Sequence, residues 1–350
     1  MTAAIQWNKA LGSTLLEHCT ITIEDSLLQS GSFPIRLYGN PVSTTLRIHN
    51  SELFATGNVG TSCTAAILLN ANPANFNVFI SKSLLRVRQV DTCASVSTFF
   101  LDDNTGSTSN MQVSVIDTRF DIVSTTPTTV ASLSFMQLAT SGSITNFNFT
   151  CLRCNMTLVD RNIQTVTGIS VLAAISTVSN FLIHCLECSI GMIARGAANT
   201  FGVSIDQVES ASDLRILMPG VRFFTSGSSN TAFIAISEAT TRKPYPRLKI
   251  DASGGIFRIN TLVTGRVHFM SQVEMSDASI NYDNSIMQIT GGSGGAAVPF
   301  QIAESALTNS VISLRGVTAT VTLTTGDIYG LLLVNTIVSS TRILARRSSF

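Results

Sequence analysis

Two Cys-x-x-Cys pairs are the most distinct chemical motif of the sequence. Cys151 and Cys154 lie in the run FTCLRCNMTL, and Cys185 and Cys188 lie 34 residues further on, in IHCLECSIGM. Four thiolates at this spacing can hold a tetrahedral zinc ion. A disulfide can also join such cysteines, and free cysteine packs as a small buried hydrophobe. We adopt the packed stack, which needs no cofactor, and keep the zinc site and a disulfide between neighbouring repeats as alternatives.

One adjacent carboxylate pair offers acid and base chemistry. Asp102 and Asp103, in the run FLDDNTG, can bind calcium or act as a general acid and a general base. The same letters are also ordinary turn chemistry, because Asp, Asn and Gly all favour turns. We therefore expect catalysis here only if the fold brings further groups to this pair.

A ten-residue pattern surrounds both cysteine pairs and recurs along the chain. It reads apolar, any, apolar, two spacers, a small Ser, Thr or Cys, any, apolar, any, apolar. Because alternate residues of a strand point to one face, the pattern predicts two short strands joined at a tight corner. Most copies are 31 to 36 residues apart, and they begin at Ile21, Leu46, Val78, Val113, Phe149, Ile183, Leu214, Leu248, Ile280, Ile312 and Leu331. A repeat of this length indicates a stacked or radial architecture.

The repeat predicts a right-handed parallel β-helix of about eleven coils. A further apolar run between copies gives each coil about three short strands. A β-propeller needs antiparallel strands and hairpins, and the near-absence of Asn-Gly and Asp-Gly turns disfavours it. We expect the corner hydroxyls to form a ladder of hydrogen bonds that satisfies backbone groups left unpaired at the bend. They are Ser26, Ser51, Ser83, Thr118, Ser253, Ser285 and Thr336.

Three segments follow from this pattern. Residues 2–16 are predicted to form a capping helix, because Thr2 can cap a first turn and Ala4, Trp7, Leu11 and Leu15 fall on one stripe. Residues 17–340 form the β-helix, and residues 341–350 form a basic tail. The helix would cover one end of the solenoid core, whereas the other end has no evident cap.

The composition of the chain argues against a membrane-spanning protein and against a nucleic-acid-binding protein. Charged residues make up 12% and hydrophobic residues 45% of the chain, and mean hydropathy is +0.34. No apolar run reaches the ~18–20 residues of a membrane span, so we predict none. The net charge of +1 gives no electrostatic reason to expect nucleic acid as a partner. The first residues also lack the charged and apolar regions of a secretory signal.

Two short runs resemble known β-helix proteins. TAAIQ at residues 2–6 resembles the capping segment of the pectate-lyase-like superfamily and of phage tailspikes, which are usually trimers. RKPYPR at residues 242–247 resembles the R-x-P-x-x-R pattern of pectate lyases. This resemblance implies that Arg242 or Arg247 abstracts a proton from a uronate ring. The chain lacks the Trp-Ile-Asp-His element of pectate lyases and the Asn-Thr-Asp, Asp-Asp and Gly-His-Gly set of polygalacturonases. Its alternating texture also resembles trypanosomatid dispersed-gene-family surface proteins.

We expect a structural β-helix protein that forms or decorates a fibre, spike, shell or other surface assembly, on a virion or a cell. Its partners would be further copies or other structural subunits, which it would contact through the C-terminal end unless Ile343, Leu344 and Phe350 fold back over that end. The alternatives are a polysaccharide lyase or hydrolase and a non-catalytic glycan-binding module. Seven cysteines, an odd number, suit a reducing compartment. We therefore expect synthesis without a signal peptide followed by packaging into the assembly, with a cytoplasmic protein as the alternative.

Overall fold

The computed structural model describes residues 3–7, 19–38, 41–57, 63–70, 73–89, 95–103, 107–124, 132–140, 142–160, 165–173, 177–194, 199–238 and 241–349. These ranges contain 34 β-strands and no helix, so no described segment could cross a bilayer as a helix. The strands pair in parallel with strands about one repeat away. The protein is an all-β parallel β-solenoid, as the repeat predicted. Parallel pairing excludes the propeller, whose blades are antiparallel.

Three sides enclose one core. Along the chain, each coil passes from side 1 around a tight corner to side 2, and then through side 3 back to side 1. Side 1 is a sheet of eleven strands at Thr20–Glu24, Thr45–His49, Asn77–Ser81, Thr108–Ile116, Ile144–Leu152, Thr177–Leu186, Ser210–Leu217, Lys249–Asp251, Ser279–Asn281, Val311–Ser313 and Arg342–Leu344. Complete coils also include residues outside the described ranges, so the number of coils stays a prediction.

Sides 2 and 3 belong to one sheet of 19 strands. Side 2 has strands at Leu27–Ser30, Glu52–Gly57, Leu84–Gln89, Arg119–Ser124, Asn155–Asp160, Ser189–Ala194, Ile286–Ala297 and Thr318–Ile328. Side 3 has strands at Ala3–Trp7, Phe33–Tyr38, Cys63–Asn70, Ser95–Asp103, Ser132–Thr140, Thr165–Ala173, Asn199–Asp206, Phe300–Ala303 and Leu331–Val334. The long strands Arg222–Ser237 and Ile256–Ser271 run through both sides.

A third, four-stranded sheet lies between side 3 and side 1 in the last coils. Its strands are Lys243–Pro246, Val273–Ser276, Ala306–Thr308 and Ile337–Ser339. The last coils therefore have one strand more than the three that the sequence predicted.

Inward side chains form continuous columns along the axis. Rung by rung, one column of side 1 passes through Ile21, Leu46, Val78, Val113, Phe149, Ile183, Ile216, Ile250, Ile280, Ile312 and Ile343. The nine inner members are buried, whereas Ile21 and Ile343 at the two ends are not. Because neighbouring coils are about 4.8 Å apart, each side chain packs directly on the next rung. Burial of these apolar columns is the main stabilising term.

The corner between side 1 and side 2 repeats one backbone geometry. The residue before the small side chain has a positive φ, for example 50° at Lys82 and 51° at Arg153. The Ser83 hydroxyl then donates to the Ser81 carbonyl oxygen at 2.8 Å and accepts from the Ser51 N–H at 3.2 Å. The predicted hydroxyl ladder is confirmed at Ser26, Ser51 and Ser83, where it satisfies backbone groups that the bend leaves unpaired. It is wrong for Ser253, which lies two residues before the corner position, and for Thr336, which follows the side 3 strand Leu331–Val334.

Two predicted copies of the pattern are out of register by two residues. Ile216 and Ile250 occupy the rungs expected for Leu214 and Leu248. A shift of two residues keeps the same face of a strand inward, so alternation alone does not reveal it. The copy predicted at Leu331 belongs to side 3, where Leu331 pairs with Phe300.

The helix predicted for residues 2–16 is wrong where the structure describes that segment. Ala3–Trp7 is a strand, and Ile5 pairs in parallel with Ile35 on side 3. The run AAIQW fits period two as well as a helical stripe, and the edge of Phe33–Tyr38 offers unpaired backbone groups for it to bind. The rest of the predicted helix lies outside the described residues.

The basic tail predicted for residues 341–350 also needs correction. Arg342–Leu344 is the last strand of side 1, and Ser349 pairs with Thr318 on side 2. Ile343 continues the inward column of Ile312, which gives this segment the apolar register of the solenoid. The β-solenoid therefore extends beyond residue 340.

Candidate functional site

The four cysteines meet at the corner between side 1 and side 2. Cys151 and Cys185 are register partners on neighbouring strands, and Cys154 and Cys188 occupy the small-residue position of consecutive corners. All four side chains are buried. Cys151 and Cys154 form a disulfide with a Cα–Cα distance of 6.0 Å, and the Cys188 sulfur lies within 4.8 Å of both of their sulfurs.

The second pair is a dithiol. The Cys188 thiol lies 3.3 Å from the Leu186 carbonyl oxygen and 3.4 Å from the Cys151 carbonyl oxygen, and donates there as the corner hydroxyls do. A hydrogen bond from Cys185 lowers the pKa of Cys188. The same hydrogen bond, followed by burial, raises the pKa of Cys185 well above its ordinary value. Cys188 is therefore the more readily ionised thiol of the pair.

This arrangement decides between the sequence-based alternatives only in part. The disulfide closes one Cys-x-x-Cys pair and does not join neighbouring coils as predicted. Cys188 and Cys185 pack as small core residues, in the manner of the predicted stack. A zinc ion on Cys151, Cys154, Cys185 and Cys188 would need the disulfide reduced, because zinc binds thiolates. The zinc site stays a prediction for the reduced protein.

The two arginines of the RKPYPR run are both engaged by the solenoid. Arg247 forms a bidentate ion pair with Asp213 of the preceding coil, with nitrogen to oxygen distances of 2.6 and 2.7 Å. The Asp213 hydrogen bond and charge raise the pKa of Arg247, which makes its guanidinium a poorer proton acceptor. The Arg242 Nε donates to the Glu304 carbonyl oxygen at 2.7 Å. Neither contact is one that a catalytic base would need.

The carboxylate pair lies in another part of the fold. The backbone of Asp102 and Asp103 ends the side 3 strand Ser95–Asp103, paired with Ala139 and Thr140. Their side chains are outside the described part of the chain. Four parallel pairings separate that strand from Arg222–Ser237, which is about 19 Å along the axis. The fold therefore does not bring this backbone segment beside the RKPYPR run.

A buried acid beside the RKPYPR run was missed by the sequence analysis. The Tyr245 hydroxyl donates to Glu238 Oε1 at 2.6 Å, and the Val208 N–H donates to the same oxygen at 3.2 Å. Burial raises the pKa of Glu238 to about 7. Tyr245 is completely buried, so its hydroxyl serves as an internal partner of the Glu238 carboxyl group. Tyr245 of the RKPYPR run therefore has a structural partner. The spacing of the motif could not predict this contact.

A buried histidine was also missed. His268 occupies a side 3 rung between Ile234 and Phe300. Its Nδ1 lies 3.0 Å from the Tyr282 hydroxyl, and its Nε2 has no hydrogen-bond partner. Burial lowers the pKa of His268 to about 3, so the ring is neutral. It fills an aromatic region of the core beside the Tyr282 and Phe300 rings.

The outer face of side 1 carries a groove of about 410 Å³. It is lined by Glu24, Arg47, His49 and Phe79, among others, and the His49 Nδ1 lies 2.8 Å from the Ser81 hydroxyl. An exposed aromatic ring beside charged and hydroxyl groups can bind an amphipathic ligand. The groove contains no carboxylate pair of the kind that glycoside hydrolysis uses.

The last described coil exposes apolar side chains. We call its strands the terminal coil: Thr318–Ile328, Leu331–Val334, Ile337–Ser339 and Arg342–Leu344. Among the described residues, each pairs with a preceding strand along one edge, and Thr318 also forms a bridge to Ser349. Ile337 is 58% exposed, and Val338 and Ile343 are exposed as well. The terminal coil thus combines open strand edges with uncovered apolar side chains.

Comparisons with known proteins give little beyond the fold. No family model and no curated protein matches the sequence. Among solved structures, the chain is similar to the A-module of the mannuronan C-5 epimerase AlgE6 of Azotobacter vinelandii, with 11% identity and a TM-score of 0.22. The similarity covers 84% of this chain and 90% of that chain. At this TM-score it carries no argument, and the assignment to the parallel β-solenoids stands on the strand pairing itself.

Proposed function

We propose that the protein is a structural β-solenoid, a rigid shaft that forms or decorates a fibre, spike, shell or other large surface assembly. The terminal coil carries this proposal. Proteins that remain monomeric usually protect sheet edges with lysine, proline, bulges or a covering segment. In the last described coil Ile337, Val338 and Ile343 are exposed, and among the described residues their strands pair along one edge only. Such a surface suits a subunit that continues the sheet.

The polar groups of the surface favour the same function. Asn75, Asn110, Asn146 and Asn180 form a chain of side-chain hydrogen bonds along the axis, each 2.7 to 2.9 Å long. Asp117 and Arg153 of consecutive coils form a bidentate ion pair at 2.7 and 2.9 Å. These axial contacts join consecutive coils between Asn75 and Asn180 and use polar side chains for cohesion. Contacts of this kind stiffen a shaft. In an enzyme, some of these polar side chains would instead be free to bind a substrate.

The test is the mass and shape of the full chain in solution, by light scattering combined with small-angle X-ray scattering. We expect particles larger than one chain that lengthen as a rod. Val338→Lys should abolish them, because Val338 continues the inward column of the buried Leu307 and the change places a charge on the exposed apolar end of that column. Leu186→Lys, a change of an exposed leucine on side 1, is the matched control and should leave them intact. A single-chain rod at every concentration would overturn the proposal.

The groove on side 1 favours a second candidate, a non-catalytic glycan-binding surface. Its exposed Phe79 and the Arg47 guanidinium, 5.7 Å from the ring centroid, offer one apolar and one cationic contact. Uronate polymers should then bind saturably without turnover, and Arg47→Ala should weaken binding. Release of unsaturated uronides, lost in Arg242→Ala, would instead favour the lyase alternative. Equal binding by Arg47→Ala and the unchanged chain would remove the groove from consideration.

A further inference from the structure

Two arginines on the outer face of side 2 lack the ion pairs that other arginines of this face form. In the earlier coils the Arg119 Nε lies 2.8 Å from an Asp121 carboxylate oxygen. Arg222 occupies the same column as Arg119 three coils later, and Arg258 lies one coil beyond it. Both side chains are exposed, and among the described residues no carboxylate lies within ion-pair distance of either guanidinium. An arginine without an internal partner keeps its N–H donors for a ligand.

The two arginines alternate with apolar side chains on neighbouring strands. Arg222 pairs with Ile256, and Phe224 pairs with Arg258. All four side chains point outward, because the residue between them on each strand is buried. A groove of about 260 Å³ is lined by all four of them, and Phe224 is 46% exposed. One rung and two residues along the strand separate the two arginines, so their Cα atoms are about 8 Å apart. We call these four residues the side 2 patch.

The side chains around the side 2 patch are polar but carry no negative charge. Asn260, Gln288 and Thr320 are exposed on the same sheet and can form hydrogen bonds with hydroxyl groups. Ile286, which pairs with Ile256, extends the apolar surface. Aspartate and glutamate are absent from the strand segments that form this face, which are 189–194, 222–226, 256–260, 286–290 and 318–322. No acid of these strands neutralises the two arginines, so the patch attracts anions.

We propose that the side 2 patch binds an acidic glycan, a sugar polymer that carries carboxylate or sulfate groups. The planar guanidinium groups of Arg222 and Arg258 each bind an acidic group, and Phe224 packs against the apolar face of a sugar ring. An acidic peptide fits less well, because a peptide binds a sheet by pairing with a free strand edge. Both edges of the two patch strands are already paired. The patch is separate from the groove on side 1, and this inference does not depend on whether the terminal coil joins subunits.

The test is isothermal titration calorimetry of the full chain with polygalacturonate, which carries carboxylates, and with heparin, which also carries sulfates. We expect saturable binding of one or both, and no binding of fully methyl-esterified polygalacturonate, which has the same backbone without the charge. Arg222→Ala and Arg258→Ala should each weaken binding about tenfold, and Phe224→Ala about fivefold. Arg119→Ala is the matched control and should have no effect, because Asp121 already binds that arginine. Binding of heparin alone would identify sulfate as the recognised group.

Other outcomes would overturn the inference. Equal weakening by Arg119→Ala would mean that binding follows the overall positive charge of the face. Unchanged binding by Phe224→Ala would mean ion pairing without a contact to a sugar ring. Loss of binding in Arg47→Ala but not in Arg222→Ala would place the glycan in the groove on side 1. Tighter binding of polyglutamate than of either glycan would favour an acidic peptide. If none of these polymers binds, the inference fails while the structural function stands, since particle mass tests that function separately.

Discussion

Replacement of His268 by phenylalanine should make the solenoid more resistant to acid. His268 is 1% exposed and lies between Ile234 and Phe300 in a core column. The Tyr282 hydroxyl is the polar group that meets it, at 3.0 Å from Nδ1. Phenylalanine preserves an aromatic ring at this rung and removes an imidazole that takes up a proton near neutral pH only in the unfolded chain. It also removes the unpartnered Nε2.

The size of the effect follows from proton linkage. Burial lowers the pKa of His268 from 6.5 to about 3. Between these values the unfolded chain binds a proton that the folded protein does not, so falling pH favours unfolding. This contribution to the free energy of unfolding is fully present above pH 6.5 and is lost progressively as the pH falls towards 3. At about 1.4 kcal/mol per pH unit, the loss at this one residue reaches about 5 kcal/mol.

The assay is urea unfolding followed by far-UV circular dichroism at pH 4, 5, 6 and 7. Tyr282→Phe is the matched control, because it removes the same hydrogen bond and leaves the titrating ring in place. Relative to Tyr282→Phe, the free energy of unfolding of His268→Phe should rise by about 1.4 kcal/mol for each pH unit below 6. Parallel stability curves for the two variants would refute the reasoning, since the imidazole would then titrate alike in both states.

Three further changes test the core, the disulfide and the buried acid. Ile183→Asp should prevent folding, because an unpaired charge in the side 1 column costs several kcal/mol, whereas Leu186→Asp on the exposed face should fold; soluble expression measures both. Reduction of the Cys151–Cys154 disulfide should lower the free energy of unfolding by about 2 kcal/mol, the chain-entropy value for so short a loop, in urea titrations with and without reductant. Glu238→Gln should raise stability at pH 8 by up to about 3 kcal/mol and leave it unchanged at pH 4, because the raised pKa of Glu238 means that its stabilising proton is lost as the pH rises through 7.

Each of these has a result that contradicts it. Soluble, folded Ile183→Asp would mean that the side 1 column does not face the core. A Cys151→Ala, Cys154→Ala double variant that responds to reductant like the unchanged chain would assign the effect to another thiol. A constant difference between Glu238→Gln and the unchanged chain from pH 4 to 8 would show that the Glu238 carboxyl titrates normally.

The repeat predicted the fold because the same alternating apolar pattern recurs in nearly every coil. In each coil the pattern places an apolar residue of side 1 inward, and most coils show this independently of the others. The register of single rungs was less secure, as the two-residue error at Leu214 and Leu248 shows, because alternation has period two. The first segment failed for a different reason. Ala3–Trp7 fits a helical stripe and a strand equally well, and only the open edge of the neighbouring strand decides between them.

The candidate site could not be predicted from motifs, because the solenoid uses reactive residue types as structural ones. Cys188 occupies the corner position that serine or threonine occupies in other coils and donates to the same kind of carbonyl acceptor. Tyr245 of the lyase-like run satisfies a buried carboxyl group, and Arg247 pairs with the coil before it. Such motif-like residues are frequent in a repeat fold, because every coil has the same few positions and several side-chain types fit each of them. Function is then better sought where the repetition stops and groups lose their neighbours. Among the described residues the terminal coil is such a place, so the Val338→Lys experiment tests the proposed function more directly than any substitution in the Cys-x-x-Cys or RKPYPR runs.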